Sequence, residues 1–353
     1  MESNILLRQK FRSSGIIILV GFCFGLVYPF FGDDWSDTTA FINGILIGVI
    51  GGIFLSFFEN FVFKIDSRKW SFINLLIIKT VLYVTFFAIL IPAVICFTRS
   101  IENNLSFWEY FYGDSFQHFI FIGDYKIILI YCLIVLIIIN FTRQINRKIG
   151  YGVLINFIFG KYHTPKEEER IFAFIDLKKS TQIAEELGAL KFHKLLYEFF
   201  HDISISILVT KGEIYRYVGD EIVVSWKTSQ GLHNANCIRA YFFMKQQLKK
   251  KREKYLEMFG FVPDFHAAYH AGKVVRGEIG DVKSQLVFHG EAMFIASKME
   301  NECSSLGYDI LISSELLQQI SIPVIYEMHH VADLEWNKKI ELYTLTEQEK
   351  ITL

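Results

Sequence analysis

The stretch "EIYRYVGDEIVVSW", residues 213–226, indicates the fold of the second half of this chain. Apolar side chains alternate on both sides of Gly219-Asp220, which is the pattern of two antiparallel strands joined by a tight turn. Two carboxylates, Asp220 and Glu221, stand at its tip. They fit a metal site or an ordinary surface turn, and the surrounding sequence has to distinguish the two.

The segments around this hairpin predict a β-α-β-β-α-β order. A buried strand, "IFAFID" (171–176), ends at Asp176, and apolar residues at helical spacing follow from Ile183 to Phe199. After the hairpin we expect a helix over about 232–259, two strands over 265–280 and a helix from Ala292. This order is that of a ferredoxin-like α+β domain with an antiparallel sheet.

In such a sheet the hairpin lies beside the first strand, so Asp176 and Asp220 are expected to point at one spot. Two carboxylates that close repel each other unless a cation lies between them, and Mg²⁺ suits oxygen ligands. The alternative is structural: Asp176 caps the following helix and Asp220 only forms the turn.

The first 141 residues are predicted to be a four-helix transmembrane domain. Hydrophobic residues make up 52% of the chain, and four apolar stretches of about the length needed to cross a bilayer run over 14–31, 41–63, 72–98 and 125–141. The first resembles a signal peptide, but no small-residue cleavage site follows, so we interpret it as a retained helix.

The charges of the loops predict the orientation of these spans. Basic residues are expected to stay in the cytoplasm, which places both termini and the soluble domain on the cytoplasmic side of the inner (plasma) membrane of a multi-pass protein. The basic segments are Arg8, Lys10, Arg12; Lys64, Arg68, Lys69; and Arg143, Arg147, Lys148, whereas Asp33, Asp34, Asp37 and Glu102, Glu109, Asp114 make the other two loops acidic.

Residues 142–169 are predicted to be an amphipathic cytoplasmic connector, and residues 170–353 the soluble domain. The apolar patch over 153–158 is expected to lie along the membrane surface. Pro165 and the run Glu167-Glu168-Glu169 are expected to mark a break before the domain. The connector either transmits movement of the helices or links the two parts passively.

Charge and cysteine content exclude some classes of function. The net charge of −1 gives no electrostatic reason to expect nucleic-acid binding. The five cysteines form no CxxC pair, so neither a zinc site nor a disulfide framework is indicated.

Four motifs together resemble the class III nucleotidyl cyclase family, in its bacterial branch with several membrane helices before one cyclase domain. They are "FIDLKKST" (174–181), "YVGDEIVVSW" (217–226), "HAGKVVRGEIG" (270–280) and "HGEAMFIASKMEN" (289–301). The resemblance covers about 170–345. It implies an adenylate or guanylate cyclase, a lyase in which the ribose 3′-hydroxyl attacks the α-phosphorus and pyrophosphate leaves, with ATP favoured over GTP.

The resemblance also implies roles for individual residues. Asp176 and Asp220 would bind two Mg²⁺ or Mn²⁺ ions per active site, and the family forms a head-to-tail homodimer with its sites at the interface. Phosphate oxygens would be held by the segment that follows Asp176, namely Leu177, Lys178, Lys179, Ser180 and Thr181.

The residues expected from the partner copy depart from the family pattern. Arg216 stands where a base-reading Lys is usual, and Val287 where its Asp or Thr partner is usual. Phe294 replaces the Asn that orients the ribose, and Lys298 replaces the Arg that stabilises the developing phosphate charge. Lys298 keeps the positive charge but loses the bidentate fork.

Two alternatives remain open at this point. A cyclase-like protein that binds nucleotide without turnover, as a receptor or regulatory protein, would explain Phe294 and Val287. A diguanylate cyclase shares the palm and both carboxylates but does not account for "HAGKVVRGEIG". Strand alternation is expected to turn Glu221 away from Asp220, and His270 and His289 are interpreted as structural.

Overall fold

The structure, a computed structural model, describes residues 2–31, 37–63, 70–149, 157, 159–282, 284–321, 326–335, 337 and 339–347. The chain divides into two compact units, Met1–Leu154 and Ile155–Leu353.

Helices make up the described part of the first unit. They are α1 (Glu2–Val27), α2 (Thr38–Phe57), α3 (Phe72–Glu102), α4 (Phe107–Tyr112), α5 (Asp114–Phe121) and α6 (Tyr125–Ile149). A 3₁₀ turn, Tyr28–Phe31, follows α1, and a π-helical turn, Phe58–Val62, follows α2. Among the described residues, four segments are long and apolar enough to cross a membrane: Lys10–Val27, Thr38–Val62, Phe72–Glu102 and Tyr125–Asn146. They coincide with the four predicted spans.

Glycines bring α1 and α2 into backbone contact. A Cβ atom added at Gly25 would collide with the carbonyl oxygen of Gly44, and one added at Gly48 would collide with that of Gly21. Small residues four apart allow this close approach, which in a bilayer replaces the missing hydrophobic driving force between helices with van der Waals packing.

Two charged residues inside the predicted spans pair with each other. Lys79 Nζ on α3 donates to Glu59 Oε1 on the π-helical turn over 2.5 Å, and Tyr83 Oη donates to the same oxygen over 3.0 Å. Arg143 on α6 lies 3.5 Å from the other carboxylate oxygen. The Glu59 and Lys79 side chains are each 3% exposed, so the pair joins three helices inside the bundle.

The second unit contains an eight-stranded sheet. Its strands are β1 (Lys166–Leu177), β2 (Glu213–Val218), β3 (Glu221–Lys227), β4 (Phe265–Ile279), β5 (Gln285–His289), β6 (Ile310–Ser313), β7 (Tyr326–Glu335) and β8 (Lys339–Glu347). Its helices are α7 (Ser180–Leu187), α8 (Ala189–Val209), α9 (Thr228–Leu232), α10 (Asn236–Lys250), α11 (Arg252–Phe259), α12 (Glu291–Leu306) and α13 (Ser314–Leu317).

The strand order is β2-β3-β1-β4-β6-β8-β7, and β5 pairs with the end of β4. All pairs are antiparallel except β4 with β6. The β2-β3-β1-β4 part is the predicted ferredoxin-like core, so the α+β fold is confirmed. One face of the sheet packs against α8 and α10 through the largest buried cluster, which includes Ile175, Phe199 and Trp226. The other face packs against α12 through Phe172, Phe174 and Ala296.

Some boundaries differ from those predicted. Strand β1 begins at Lys166, so the run of three glutamates lies inside it rather than in a break. Its charge is compensated in the sheet, because Glu168 pairs with Arg170 (3.0 Å) and Arg276 (3.1 Å). Helix α6 continues to Ile149, into the range expected for the connector. Of the connector's apolar patch, Val153, Leu154, Ile155 and Ile158 lie outside the described residues.

Residues 265–279 form one long strand instead of the two predicted around 265–280. Gly272, in the middle of this strand, lies under α12: a Cβ there would be 2.9 Å from the Cβ of Ala292. This glycine therefore permits close helix-on-sheet packing and does not form a turn.

Candidate active site

Asp176 and Asp220 meet at one corner of the sheet. Asp176 is the penultimate residue of β1, and Asp220 is the second residue of the two-residue turn between β2 and β3. Gly219, the first turn residue, has φ +62, a conformation that favours glycine. The turn thus holds Asp220 beside the end of β1, where its charge contributes to the raised pKa of Asp176.

Glu221 also belongs to this corner, contrary to the sequence-based expectation. It is the direct cross-strand partner of Asp176, and directly opposite residues of an antiparallel pair project from the same face. The alternation argument fails because Asp220 lies in the turn, where side chains do not follow the alternation of a strand. On the other side of Asp176, His266 of β4 is its direct partner. Glu221, Asp176 and His266 thus form a row across three strands.

Glu300 approaches the same corner from α12. It continues the stripe of Ala292 and Ala296, which covers this face of the sheet, and it is only 8% exposed. Burial, followed by the charges of Asp176, Glu221 and Asp220, raises the pKa of Glu300 to about 7. In the sequence Glu300 stands within the motif "HGEAMFIASKMEN", and its spacing of four from Ala296 is the signal that places it on this side of α12.

The electrostatics of the corner are those of a site that lacks positive charge. Burial, then the charge of Asp220 and that of Glu221, raises the pKa of Asp176 to about 7. Burial also raises the pKa of Glu221, although Arg216 opposes this shift. A divalent cation would reverse both effects, because it favours the ionised carboxylates.

The donor set fits Mg²⁺ or Mn²⁺. Among the described residues, no group of three Asp, Glu, His or Cys side chains is arranged to hold a metal ion. Two carboxylates plus backbone carbonyls, water and substrate phosphates are the usual ligands of Mg²⁺, which seldom has an all-protein cage. Asp176 and Asp220 are therefore the residues that would hold it.

The side-chain ammonium and the backbone N–H of Lys178 both have partners within the domain. Its Nζ donates to Asp264 over 2.7 Å and also contacts Asp309, and Lys245 contacts the same two carboxylates. Its backbone N–H donates to the Asp264 carbonyl oxygen over 2.9 Å. The structure thus places both polar groups of Lys178 in an ion network that joins the start of α7 to β4 and β6.

The other predicted phosphate-binding residues lie around the start of α7. Leu177 is 1% exposed and belongs to the core, so only its backbone is available for binding. Lys179, with φ +56, precedes the helix, and Ser180 and Thr181 are its first residues. Lys179 and Thr181 are exposed. The unpaired N–H groups of a helix start favour an anion beside Asp176.

Phe294 and Lys298 do not face the carboxylates of their own chain. Ala292, Ala296 and Glu300 occupy the side of α12 that covers the sheet, and at about 100° per residue Phe294 and Lys298 lie on its other side. Phe294 is 44% exposed, and Lys298 Nζ lies 5.3 Å from the centre of its ring.

Arg216 and Val287 lie on neighbouring strand segments. A bulge at Tyr215 interrupts the β2-β3 ladder, after which Arg216 is opposite Val223. The Phe288 N–H donates to Tyr215 Oη over 3.3 Å, which links β2 to β5. Arg216 is exposed and follows Tyr215 in β2. Val287 is half-buried and precedes Phe288 in β5. His270 is structural, as predicted: it is 3% exposed and its Nδ1 lies 2.7 Å from Ser313 Oγ.

Comparison with known proteins agrees with this geometry. Residues 163–347 match the family described as adenylate and guanylate cyclase catalytic domain. "Adenylate cyclase 2" of Rhizobium meliloti (strain 1021) is 31% identical over 208 residues, covering 59% of this chain and 57% of the relative. "Adenylate cyclase" of Anabaena cylindrica is 24% identical over 163 residues, covering 44% and 31%. The chain thus spans little more than half of one relative and about a third of the other.

The fold is shared with solved cyclase structures. A bacterial light-regulated adenylyl cyclase superposes with a TM-score of 0.52 at 19% identity, covering 62% of this chain and 64% of that one. The family match spans more than half of the 353 residues and contains both carboxylates of the corner, the row across the sheet and α12. The chain therefore belongs to the adenylate and guanylate cyclase catalytic domain family.

Proposed function

We propose that this chain is a membrane-anchored adenylate cyclase that converts ATP into cyclic AMP and pyrophosphate. The ribose 3′-oxygen loses its proton and bonds to the α-phosphorus, while the bond from the α-phosphorus to the pyrophosphate oxygen breaks. Asp176 and Asp220 carry the proposal, because two neighbouring carboxyl groups at the end of β1 and in the β2-β3 turn, in a domain of this family, make a site for cations and triphosphate.

Within one copy, different residues would bind the cations and the phosphates. Bound Mg²⁺ or Mn²⁺, two per site, would supply the positive charge that activates the 3′-hydroxyl and neutralises the leaving pyrophosphate. Asp176 and Asp220 fix the position of that charge. The start of α7, from Lys179 to Thr181, offers backbone N–H groups to phosphate oxygens.

A second copy of the chain completes the proposed site. Lys298 and Phe294 lie on the side of α12 that faces away from Asp176, so they cannot act on a nucleotide held by their own carboxylates. A head-to-tail homodimer supplies them from the partner, and its two-fold symmetry makes two equal composite sites. Lys298 would then stabilise the developing phosphate charge, and Arg216 with Val287 would contact the base.

ATP is the proposed substrate because both curated relatives are called adenylate cyclases. Arg216 can only donate hydrogen bonds, so it can meet N1 of adenine or O6 of guanine and does not by itself select the base. The four apolar segments are proposed to span the inner membrane, with the basic loops and the cyclase domain on the cytoplasmic side.

The test is product analysis with the full chain in lipid nanodiscs. ATP or GTP is supplied with Mg²⁺ or Mn²⁺, and nucleotides are separated by HPLC. We expect cyclic AMP, and we expect Asp176→Ala or Asp220→Ala to reduce its rate by about 10² or more, as loss of one charge-stabilising group does elsewhere. Glu257→Gln, on the exposed side of α11, is the matched control and should retain the rate. Cyclic GMP as the main product would overturn the assignment of the substrate.

A nucleotide-binding regulatory protein without turnover is the second candidate. Phe294 and Val287 favour it, since neither side chain can form the hydrogen bonds that ribose and base offer. If the unmodified chain yields no cyclic nucleotide but Phe294→Asn combined with Lys298→Arg does, this candidate replaces the first.

A further inference from the structure

The helical unit contains a cavity that the cyclase chemistry does not use. Its volume is about 270 Å³, and residues of α1, α2, α3, α4, α5 and α6 line it. Most of its wall is apolar and comes from side chains of these helices, including Phe24, Leu55, Phe87, Phe119 and Leu136.

One buried side-chain amide places a polar group in the largely apolar wall of this cavity. Asn43 of α2 lines it and is only 6% exposed. Its Oδ1 accepts a hydrogen bond from Thr98 Oγ1 over 2.6 Å, and no described residue accepts a hydrogen bond from its Nδ2. A buried donor without an acceptor is costly, so an acceptor from a bound molecule would satisfy it.

The charges at the wall exclude an anionic ligand. Arg99 lines the cavity, but its guanidinium is already paired with Asp37 (2.6 Å) and Glu102 (2.8 Å). Asp124 adds a further carboxylate to the lining. A fatty-acid carboxylate or a phosphate would therefore meet net negative charge, whereas a neutral molecule would not.

Size limits the ligand further. An apolar cavity of about 150 Å³ can hold one benzene ring, so this cavity has room for roughly ten non-hydrogen atoms. We propose that the cavity binds a neutral lipophilic molecule with one hydrogen-bond-accepting oxygen, of the ketone class, which enters from the bilayer and accepts from Asn43 Nδ2. Helix α6 forms one wall and continues to Ile149 at the start of the connector, so the site touches the helix that leads to the cyclase domain.

The location can be tested by photolabelling the full chain in nanodiscs with phenyldiazirine, a neutral photoreactive aryl molecule small enough for the cavity. We expect the label on wall residues of α2 and α6, as mapped by mass spectrometry. Val135→Phe, which fills the cavity from α6, should reduce this label at least about fivefold. Ile134→Phe is the matched control, because Ile134 is 52% exposed and faces outward; it should leave the label unchanged.

The hydrogen bond can be tested with two competitors of the same shape. Acetophenone carries a carbonyl group and cumene does not. At equal concentration in the bilayer, we expect acetophenone to displace phenyldiazirine about tenfold more effectively than cumene does, and Asn43→Leu to abolish that preference. This comparison needs only the unmodified chain if Val135→Phe fails to fold.

Two results would overturn the proposal. Label confined to outward residues and insensitive to Val135→Phe would mean that the cavity holds only lipid or water. Equal competition by acetophenone and cumene on the unmodified chain would mean that Asn43 does not select an acceptor. Neither readout depends on cyclic nucleotide formation, so this inference and the proposed enzyme activity fail separately.

Discussion

Replacing Asp176 with Asn is expected to stabilise the metal-free protein while it abolishes activity. The carboxyl group of Asp176 lies beside Asp220, opposite Glu221 and close to Glu300. An Asn amide is neutral and can donate a hydrogen bond to a neighbouring carboxylate, so it removes one of the charges that repel each other at this corner.

The size of the gain follows from the raised pKa. Burial and then the neighbouring carboxylates shift the pKa of Asp176 from 3.8 to about 7. At about 1.4 kcal/mol per pKa unit this corresponds to at most about 4 kcal/mol, and since the group is only half-buried, solvent screening reduces it to about 1–2 kcal/mol. For a domain of this size such a change raises the Tm by about 2–8 °C.

The pH dependence has a definite sign. Folding favours the protonated form of Asp176, so the stability of the unmodified protein falls as pH rises from about 4 to about 7. The advantage of Asp176→Asn is therefore expected at pH 8 and absent at pH 4. Thermal unfolding of the full chain in detergent with a chelator, followed by tryptophan fluorescence, measures it, since Trp226 is fully buried in the cyclase domain.

Asp264 provides a matched control of opposite sign. Burial opposes its ionisation, but hydrogen bonds from Lys178 and Lys245 outweigh burial and lower its pKa. Asp264→Asn should therefore destabilise the protein at pH 8, with a difference that shrinks as pH falls below 4. The reasoning is refuted if Asp176→Asn is no more stable than the unmodified chain at pH 8 without divalent ions, or if its gain is equal at pH 4.

Three further changes test other parts of the structure. Glu59→Ala leaves the Lys79 ammonium buried without its carboxylate and should cost about 3–5 kcal/mol, whereas Glu59→Gln with Lys79→Met should cost less, as measured by thermal unfolding in detergent. Gly25→Val directs a side chain into an α2 carbonyl group and should lower the Tm of the helical unit; an unchanged Tm would contradict the close packing. Phe294→Asn with Lys298→Arg should raise turnover at least about tenfold, and an unchanged rate by HPLC would show that these positions do not limit it.

The pairing of Asp176 with Asp220 at the sheet corner was predictable because its signals are local. An apolar strand that ends in Asp176 and a Gly219-Asp220 turn both appear within short stretches of sequence. The ferredoxin-like order then places the hairpin beside β1, which the structure shows. Chain order and one turn are thus sufficient to bring the two carboxylates together.

The surroundings of that corner could not be predicted, because they depend on register and on distant contacts. Glu221 and His266 become neighbours of Asp176 only through the pairing of β1 with β3 and β4. Lys178 was expected to meet phosphate, but its partners Asp264 and Asp309 lie 86 and 131 residues further along the chain. Nothing near Lys178 in the sequence indicates an ion network.

The most direct test of the proposed two-copy site is to combine two differently damaged copies. Chains with Asp176→Asn and chains with Lys298→Ala are co-expressed with different tags and purified through both, so that only mixed dimers remain. Each mixed dimer then holds one intact and one doubly damaged site, and about half of the unmodified cyclic AMP rate is expected. Each variant alone should be nearly inactive. Mixed dimers as inactive as either variant alone would contradict the two-copy site.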